Sequence, residues 1–452
     1  MEALTLLMRQ HRFDLIYKYL YVINPSQFNR DAYVESIRAF TANTFKELEP
    51  SDGVPKLSVE DYVSSFDKLI ASLQDKGFDK SLGVIPMQFN GEISDGAHRL
   101  AVCAALGKEV ELEEDVVNSF IFNYEFFLDR HMESDVMDYG ALEYVKLNTN
   151  SYIVNLHAAT NPLHDAKVEN ILNKYGFVYY KKNVKMNYNG YVNLVKLSYG
   201  SFWEREKWIG DAKDSFAGAR NHAKMSYGNN PMRIFVFVCD DLQKVLKAKK
   251  EIRALYNLGN NSVHINDTHE EAIWLAETYF NRNSLHFIKH CSFKYLDELF
   301  EENISYLKRK LFETQTKWDD VCCVGSTALN AYGIRKSQDM DYLSLDENFN
   351  IEDKIISPHD DQLIYYKKTK EDIITNPNNF FYYQGIKFGS LNLVLQLKKH
   401  RHEYPKDYKD ILRIIFLQQF NVHLNIDATK YKIKMALKNN PIVYGFYKFI
   451  KR

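Results

Sequence analysis

Val321-Cys322-Cys323-Val324-Gly325-Ser326 is followed, after the twelve residues 327–338, by Asp339-Met340-Asp341-Tyr342. The four apolar residues predict a buried strand, and Gly325-Ser326 predicts a tight turn whose backbone N–H groups are free to face an anion. In an extended segment alternate side chains share a face, so Asp339 and Asp341 present two carboxylates to the same side. Magnesium bound with nucleotide phosphates commonly takes only one or two protein carboxylates, the phosphates supplying the rest. These residues therefore predict a site for Mg2+ and a nucleoside triphosphate, ATP or CTP.

The surroundings of this stretch have a definite order. A helix carrying Leu296, Leu299, Ile304, Leu307 and Leu311 precedes the strand. Ala328 to Gly333 forms a short helix after the Gly-Ser turn, and Arg335 and Lys336 stand just before the paired aspartates. Helix, strand, Gly-Ser turn, short helix and a strand with alternate acids resemble the polymerase-β-like nucleotidyltransferase superfamily, over residues 293–420. The resemblance implies that Gly325 and Ser326 hold nucleotide phosphates, that Asp339 and Asp341 carry magnesium, and that Arg335 or Lys336 neutralises phosphate charge. It extends to Gly385-Ile386-Lys387-Phe388 and to a helix with Lys398, Arg401, Lys406, Asp407 and Asp410. It also implies a third carboxylate on a later strand. Asp361 is the candidate, since Gly385-Ile386-Lys387 carries no acid.

Upstream, Arg233 to Ile288 alternates apolar runs with helical spacing. Ile234-Phe235-Val236-Phe237-Val238, Ser262-Val263-His264-Ile265 and Leu285-His286-Phe287-Ile288 are expected as strands, with helices over Leu242–Leu255 and Thr268–Phe280 between them. This pattern predicts a Rossmann-like βαβαβ layer with a parallel sheet, whose ligands would sit beyond the carboxyl ends of the strands. His264, Asp267 and His269 lie at one such end, and are candidates for a metal or for general base and phosphate ligand in glycosyl-type group transfer from a nucleotide sugar. Thr268 and Glu271 also have the spacing of a helix capping box, which accounts for the acids without a function.

Between residues 111 and 230 the chain is rich in aromatics. Tyr152-Ile153-Val154, Phe177-Val178-Tyr179-Tyr180 and Val192-Asn193-Leu194 are expected as strands. Tyr199-Gly200-Ser201-Phe202-Trp203 and Trp208-Ile209-Gly210 set tryptophans among glycines, suited either to stacking on sugars or bases or to plugging an interface.

The N-terminal 75 residues are expected to be largely helical, with Ser58 as a cap. Val84-Ile85-Pro86-Met87 then predicts a short strand, and Gly91 to Ala101 a turn with Asp95-Gly96-Ala97-His98-Arg99 opening an alanine-rich helix that ends at Gly107. Residues 84–110 resemble the ParB/sulfiredoxin superfamily, which includes nucleotide-dependent kinases and DNA partition proteins. That resemblance implies phosphate binding by Asp95, His98 and Arg99. A structural alternative has Asp95 capping the helix and Arg99 paired with an acid.

Composition bounds the rest. In 452 residues, 58 Lys and Arg face 59 Asp and Glu, so no net field draws the chain to nucleic acid or an anionic surface. The run from Lys430 to Arg452 is basic and without an acid. The five scattered cysteines and the charged N-terminal twenty residues predict a reduced, cytoplasmic protein without a leader or membrane segment. The expected architecture is a multidomain α/β protein: a helical and ParB-like part over 1–150, a central α/β domain over 151–292 and a nucleotidyltransferase-like α+β module over 293–452. The expected activity is transfer of a nucleotidyl or phosphoryl group to a small molecule, a carbohydrate or its precursor. Group transfer in the central domain and a non-catalytic nucleotide-sensing or nucleic-acid-associated role are the alternatives.

Overall fold

A computed structural model describes residues 1–48, 54–77, 84–115, 120–200, 207–211, 214–292, 298–424 and 426. Trp203, Leu296 and the basic run from Lys430 to Arg452 lie outside the described residues. The chain is mixed α/β, with three sheets among the described residues, and divides into two compact units, Met1–Lys289 and His290–Arg452. None of the described helices is long and apolar enough to cross a membrane.

The first unit begins with helices Ala3–Leu7, Leu15–Ile23, Gln27–Phe40 and Val59–Lys76. Ser58 caps the last of these, its hydroxyl accepting from the Asp61 N–H at 3.2 Å. Strand β1 (Ile85–Gln88), helix Ala97–Ala105 and strand β2 (Leu112–Asp115) follow, the two strands pairing in parallel.

A four-stranded sheet holds the centre of this unit: β3 (Ser151–Leu156), β4 (Phe177–Val184), β5 (Met232–Val238) and β6 (Val263–Ile265), in the order β4-β5-β3-β6. Every neighbouring pair is antiparallel. With helices Asp165–Tyr175 and Leu242–Tyr256, the chain order is β-α-β-β-α-β, the split βαβ arrangement of ferredoxin-like folds. Residues 185–231 are inserted between the second and third strands and carry helices Tyr188–Gly200 and Ala217–Ser226.

The expected parallel βαβαβ layer is thus corrected to an antiparallel one. The two helices cover one face, where Val154, Leu156, Phe235, Phe237, Val263 and Ile265 pack on Val168, Leu172, Val245 and Ile252. On the other face Asn155 Nδ2 donates to Tyr279 Oη at 2.7 Å from helix His269–Tyr279. With both faces covered, all seven residues of β5 are buried. An antiparallel strand in that setting shows the same unbroken apolar run as a parallel one.

Two expected strands are helices. Val192-Asn193-Leu194 lies within Tyr188–Gly200, and Leu285-His286-Phe287-Ile288 within Arg282–His290. Each helix opens on an asparagine whose side chain accepts from the N–H three residues on: Asn187 from Gly190 at 2.7 Å, Asn281 from Ser284 at 2.9 Å. Those caps commit the following apolar residues to helical geometry, so that Ser284, Leu285, Phe287 and Ile288 fall on one buried stripe.

The second unit is built on a mixed sheet of β7 (Val321–Cys323), β8 (Met340–Ser344), β9 (Ile356–Pro358), β10 (Phe380–Tyr383) and β11 (Ile386–Gly389), in the order β10-β11-β7-β8-β9. Helix Glu298–Glu313 precedes β7 and helix Ser326–Ala331 follows it. The single helix expected to carry Lys398 through Asp410 is two, Leu391–Arg401 and Lys406–Phe420. Pro405 closes the intervening turn, and proline is poorly tolerated inside a helix.

Candidate functional site

Gly325 has φ +60°, and a Cβ on it would lie 2.7 Å from Asp341 Oδ2 and 3.3 Å from His359 Cε1. Only glycine lets the backbone pass that close to the carboxylate. The turn and β8 are fastened together. Val324 N–H donates to Asp341 O at 2.8 Å, while Thr327 Oγ1 accepts from Asp341 N–H at 3.0 Å and donates to Asp339 O at 3.4 Å. The Ser326 N–H favours the charged form of the Asp341 carboxylate.

Burial pushes the Asp341 pKa up to about 6, and the neighbouring Asp339 carboxylate adds to the rise, against the pull of Ser326, Lys398 and Lys406. Two mutually repelling carboxylates, one of them desolvated, form a place where a divalent cation would relieve a real electrostatic cost. The Gly325 backbone packs directly against that carboxylate. Asp339 and Asp341 therefore fit a magnesium ion. Among the described residues no group of three or more His, Cys, Asp or Glu forms a metal cluster, so phosphate oxygens would have to complete the coordination.

Beside this pair lies a concentration of positive charge. Lys398, 1% exposed, meets Asp407 at 2.9 Å and Asp410 at 3.4 Å. Arg401 forks onto Asp407 at 2.8 and 3.1 Å. Arg335 forks onto Asp410 at 2.9 and 3.0 Å, and Arg413 reaches the same carboxylate at 3.3 Å. Four cations thus share two buried aspartates, with the half-exposed Glu403 also on Arg401 at 3.1 Å. The surplus is positive, and Lys398 is close enough to act on Asp341. Arg335 is placed by its bidentate pair with Asp410, so its guanidinium braces the cluster. Lys336 is exposed.

The register explains the lack of an acid at Gly385-Ile386-Lys387. Lys387 is buried and its Nζ donates to the carbonyls of Asp319 at 2.6 Å and Ile374 at 3.0 Å, tying strand to loop and helix. Asp361 is exposed on the turn after β9, where its carboxylate accepts from Gln362 Nε2 at 2.7 Å. Opposite Asp341, on β9, stands Ser357, and two residues further His359. Sequence reasoning passed over His359. Its one signal is its place in Ser357-Pro358-His359-Asp360-Asp361, a polar stretch after a short apolar strand.

In the first unit the three residues expected to act together are each tied to other groups. His264 Nε2 lies 2.7 Å from Glu271 Oε1, while His269 Nε2 donates to the Val145 carbonyl at 2.7 Å. Asp267 is exposed; its carboxylate meets Lys249 Nζ at 3.3 Å and its N–H donates to Glu271 at 3.1 Å. Thr268 caps the helix by accepting from Glu271 N–H at 3.3 Å, so the capping reading accounts for this turn. The group near His264 is a different one: His157, 5% exposed, stands 6.0 Å from the ring of His222. Burial, with His222, His264 and Arg253 nearby, drives the His157 pKa down to about 3. Trp208 rests 5.7 Å from His222 and is 44% exposed.

The Asp95–Arg99 turn is likewise divided. His98 Nε2 is 3.0 Å from Tyr33 Oη, and its ring packs on Phe66 at 4.7 Å, turned into the core of the helices. Desolvation, and then Lys18, hold its pKa well below the usual imidazole range. Arg99 is 8% exposed and lies 3.8 Å from the exposed Asp95. His98 is therefore a core histidine; of the structural alternative, Arg99 does pair with an acid, Asp95, whereas the helix N-cap is Gly96 and receives no side-chain cap.

Comparison with protein-family models, with curated protein sequences and with solved structures finds no match at the thresholds used.

Proposed function

We propose that the second unit binds a magnesium-bound nucleoside triphosphate and transfers its nucleotidyl or phosphoryl group to a small molecule, with a carbohydrate or its precursor as the acceptor class. The observation that carries this reading is the Asp339–Asp341 pair set against the Gly325–Ser326 turn, with the Lys398 and Arg401 cations beside it. The resemblance of residues 293–420 to polymerase-β-like nucleotidyltransferases supports it from the sequence. Asp339 and Asp341 would hold the ion. When bound, magnesium would offset phosphate charge and polarise the phosphoryl oxygens. The Ser326 hydroxyl, at the turn, would meet a phosphate, and the surplus cations around Asp407 and Asp410 would attract and orient the triphosphate. Net charge near zero argues for a small acceptor over a polynucleotide.

The reading is tested by thermal shift with Mg2+ and each common triphosphate, wild type beside the Asp339→Asn/Asp341→Asn double variant, followed by acceptor screening. Stabilisation of the wild type by a triphosphate, lost in the double variant, is the expected result. Stabilisation by a nucleotide sugar alone, retained in the double variant, would move the chemistry to the first unit.

A further inference from the structure

Asp339 and Asp341 can share an ion only if their backbones are held at one spacing, and a single buried hydroxyl does that holding. Strand β7 pairs antiparallel with β8, Cys323 opposite Tyr342, and the ladder runs one residue further, where Val324 N–H donates to Asp341 O at 2.8 Å. In a regular antiparallel pair Asp341 N–H would return a bond to Val324 O. Here the chain turns away at Gly325, φ +60°, and Val324 O instead accepts from Thr327 N–H at 3.3 Å. The strand that would flank the acids has left the sheet.

Thr327 stands in for it. Its Oγ1 accepts from Asp341 N–H at 3.0 Å and donates to Asp339 O at 3.4 Å, so one atom meets the backbone of both acids. The side chain is wholly buried and its one proton is given to Asp339, so Thr327 holds the acids and does not itself meet a ligand. Three residues on, and on the same side of helix Ser326–Ala331, Asn330 Oδ1 accepts from Ser337 N–H at 2.8 Å. The short helix therefore grips the acidic segment at residues 337, 339 and 341, and the same helix begins at the Gly325–Ser326 turn. Acids and turn are fixed to one frame. Magnesium accepts little departure from octahedral geometry, whereas calcium takes longer and more variable contacts, so the rigidity of the ligands helps to decide which of the two a site prefers.

We propose that Thr327 is the positioning residue of the ion site, its hydroxyl fixing Asp339 against Asp341 and both against the Gly325–Ser326 turn, and that this clamp sets a preference for Mg2+ over Ca2+. The proposal rests on the magnesium-triphosphate reading above and adds to it the group that holds the carboxylates and the choice of ion that follows. Loosening the clamp spares the more tolerant ion.

The test is calorimetric titration of ATP and CTP, with Mg2+ and separately with Ca2+, into wild type, Asp339→Asn/Asp341→Asn, Thr327→Val and Thr327→Ser, each first shown to be folded by circular dichroism. The wild type is expected to bind the triphosphate more tightly with Mg2+ than with Ca2+. T327V keeps the shape of threonine without the hydroxyl, and should bind about tenfold more weakly with Mg2+ while changing little with Ca2+, so the ratio of the two affinities falls. T327S keeps the hydroxyl and should keep the wild-type ratio. Should T327V fail to fold, Thr327→Ala, whose smaller side chain admits a water to the two backbone groups, carries the same expectation. Equal weakening with both ions would show damage to the fold and no role in positioning, and would overturn the proposal. So would a wild type without preference between the ions, a T327S ratio as low as that of T327V, or a T327V ratio equal to the wild type's. Each of these leaves the triphosphate reading intact so long as the wild type binds and the double aspartate variant does not. Absence of any triphosphate binding to the wild type would overturn both.

Discussion

The Gly325–Asp341 region and the His264–His269 region both place acids and a histidine near the end of a strand, yet they differ in how those groups are partnered. In the turn of the first unit the three candidates each have a partner: His264 has Glu271, His269 has the Val145 carbonyl, and Asp267 has Lys249. In the second unit Asp339 repels Asp341, and the cations nearby outnumber the aspartates they share. A turn whose groups satisfy one another is stabilising structure. A turn whose charges remain uncompensated is a place for a ligand.

The sharpest way to break this contrast is to remove each side in turn. Asp339→Asn/Asp341→Asn is expected to abolish magnesium-dependent stabilisation by a triphosphate, a loss of several degrees in Tm, whereas His264→Ala leaves it in place. The opposite pattern would assign the chemistry to the first unit.

Next in size is the charge cluster that backs the site. Asp410→Ala strips Arg335, Lys398 and Arg413 of a shared buried carboxylate, and should cost about 3–5 kcal/mol in urea unfolding. A loss below about 1 kcal/mol would mean that the cations are solvated and not held for a ligand.

Gly325→Ala probes the turn itself. Its φ of +60° and the 2.7 Å approach to Asp341 Oδ2 should lower stability by about 1–3 kcal/mol and weaken triphosphate binding together. The equivalent change at Gly259, φ +54° with nothing within 4 Å, should cost only about 1 kcal/mol and leave binding unchanged.

Asp341 also sets a pH dependence of known sign. Its folded pKa of about 6 lies above the ordinary 3.8, so the folded protein holds this proton more tightly than the unfolded chain. Its contribution to stability is therefore fully present at low pH and is lost as pH rises from about 4 through about 6. D341N removes that fall, and should stabilise the ligand-free protein by about 1–2 kcal/mol at pH 7, the gain fading by pH 4 in a series of thermal melts. Binding runs the other way: the ion needs the carboxylate, so magnesium-triphosphate affinity should rise with pH through about 6 and level off above it.

The smallest effect expected is at the satisfied turn. His269→Ala loses one hydrogen bond to the Val145 carbonyl, about 1 kcal/mol in stability, with no change in triphosphate binding.

Residues close in the chain made much of this legible. Strands β7 and β8, the Gly-Ser turn, the short helix and the shared face of Asp339 and Asp341 all follow from apolar runs, turn chemistry and the two-residue repeat of a strand, which act over a few residues. The Ser58 and Thr268 caps were readable for the same reason. Asn187 and Asn281 carried equivalent signals, and weighing them against the apolar residues that follow would have turned two expected strands into helices.

What the tertiary structure alone decided is which groups meet. The direction of the central strands was hidden because burial on both faces gives one composition to parallel and antiparallel strands. The assignment of Arg335 to Asp410, 75 residues away, depends on how helix Lys406–Phe420 packs. So does the meeting of Tyr366 Oη with His359 Nδ1, which joins a helix to the end of β9. The sequence by itself determined where an acid pair and a glycine turn would stand. Folding determined that His359 would stand beside them, because the pairing of β8 with β9 and the contact with Tyr366 are properties of the assembled site and of no single stretch of chain.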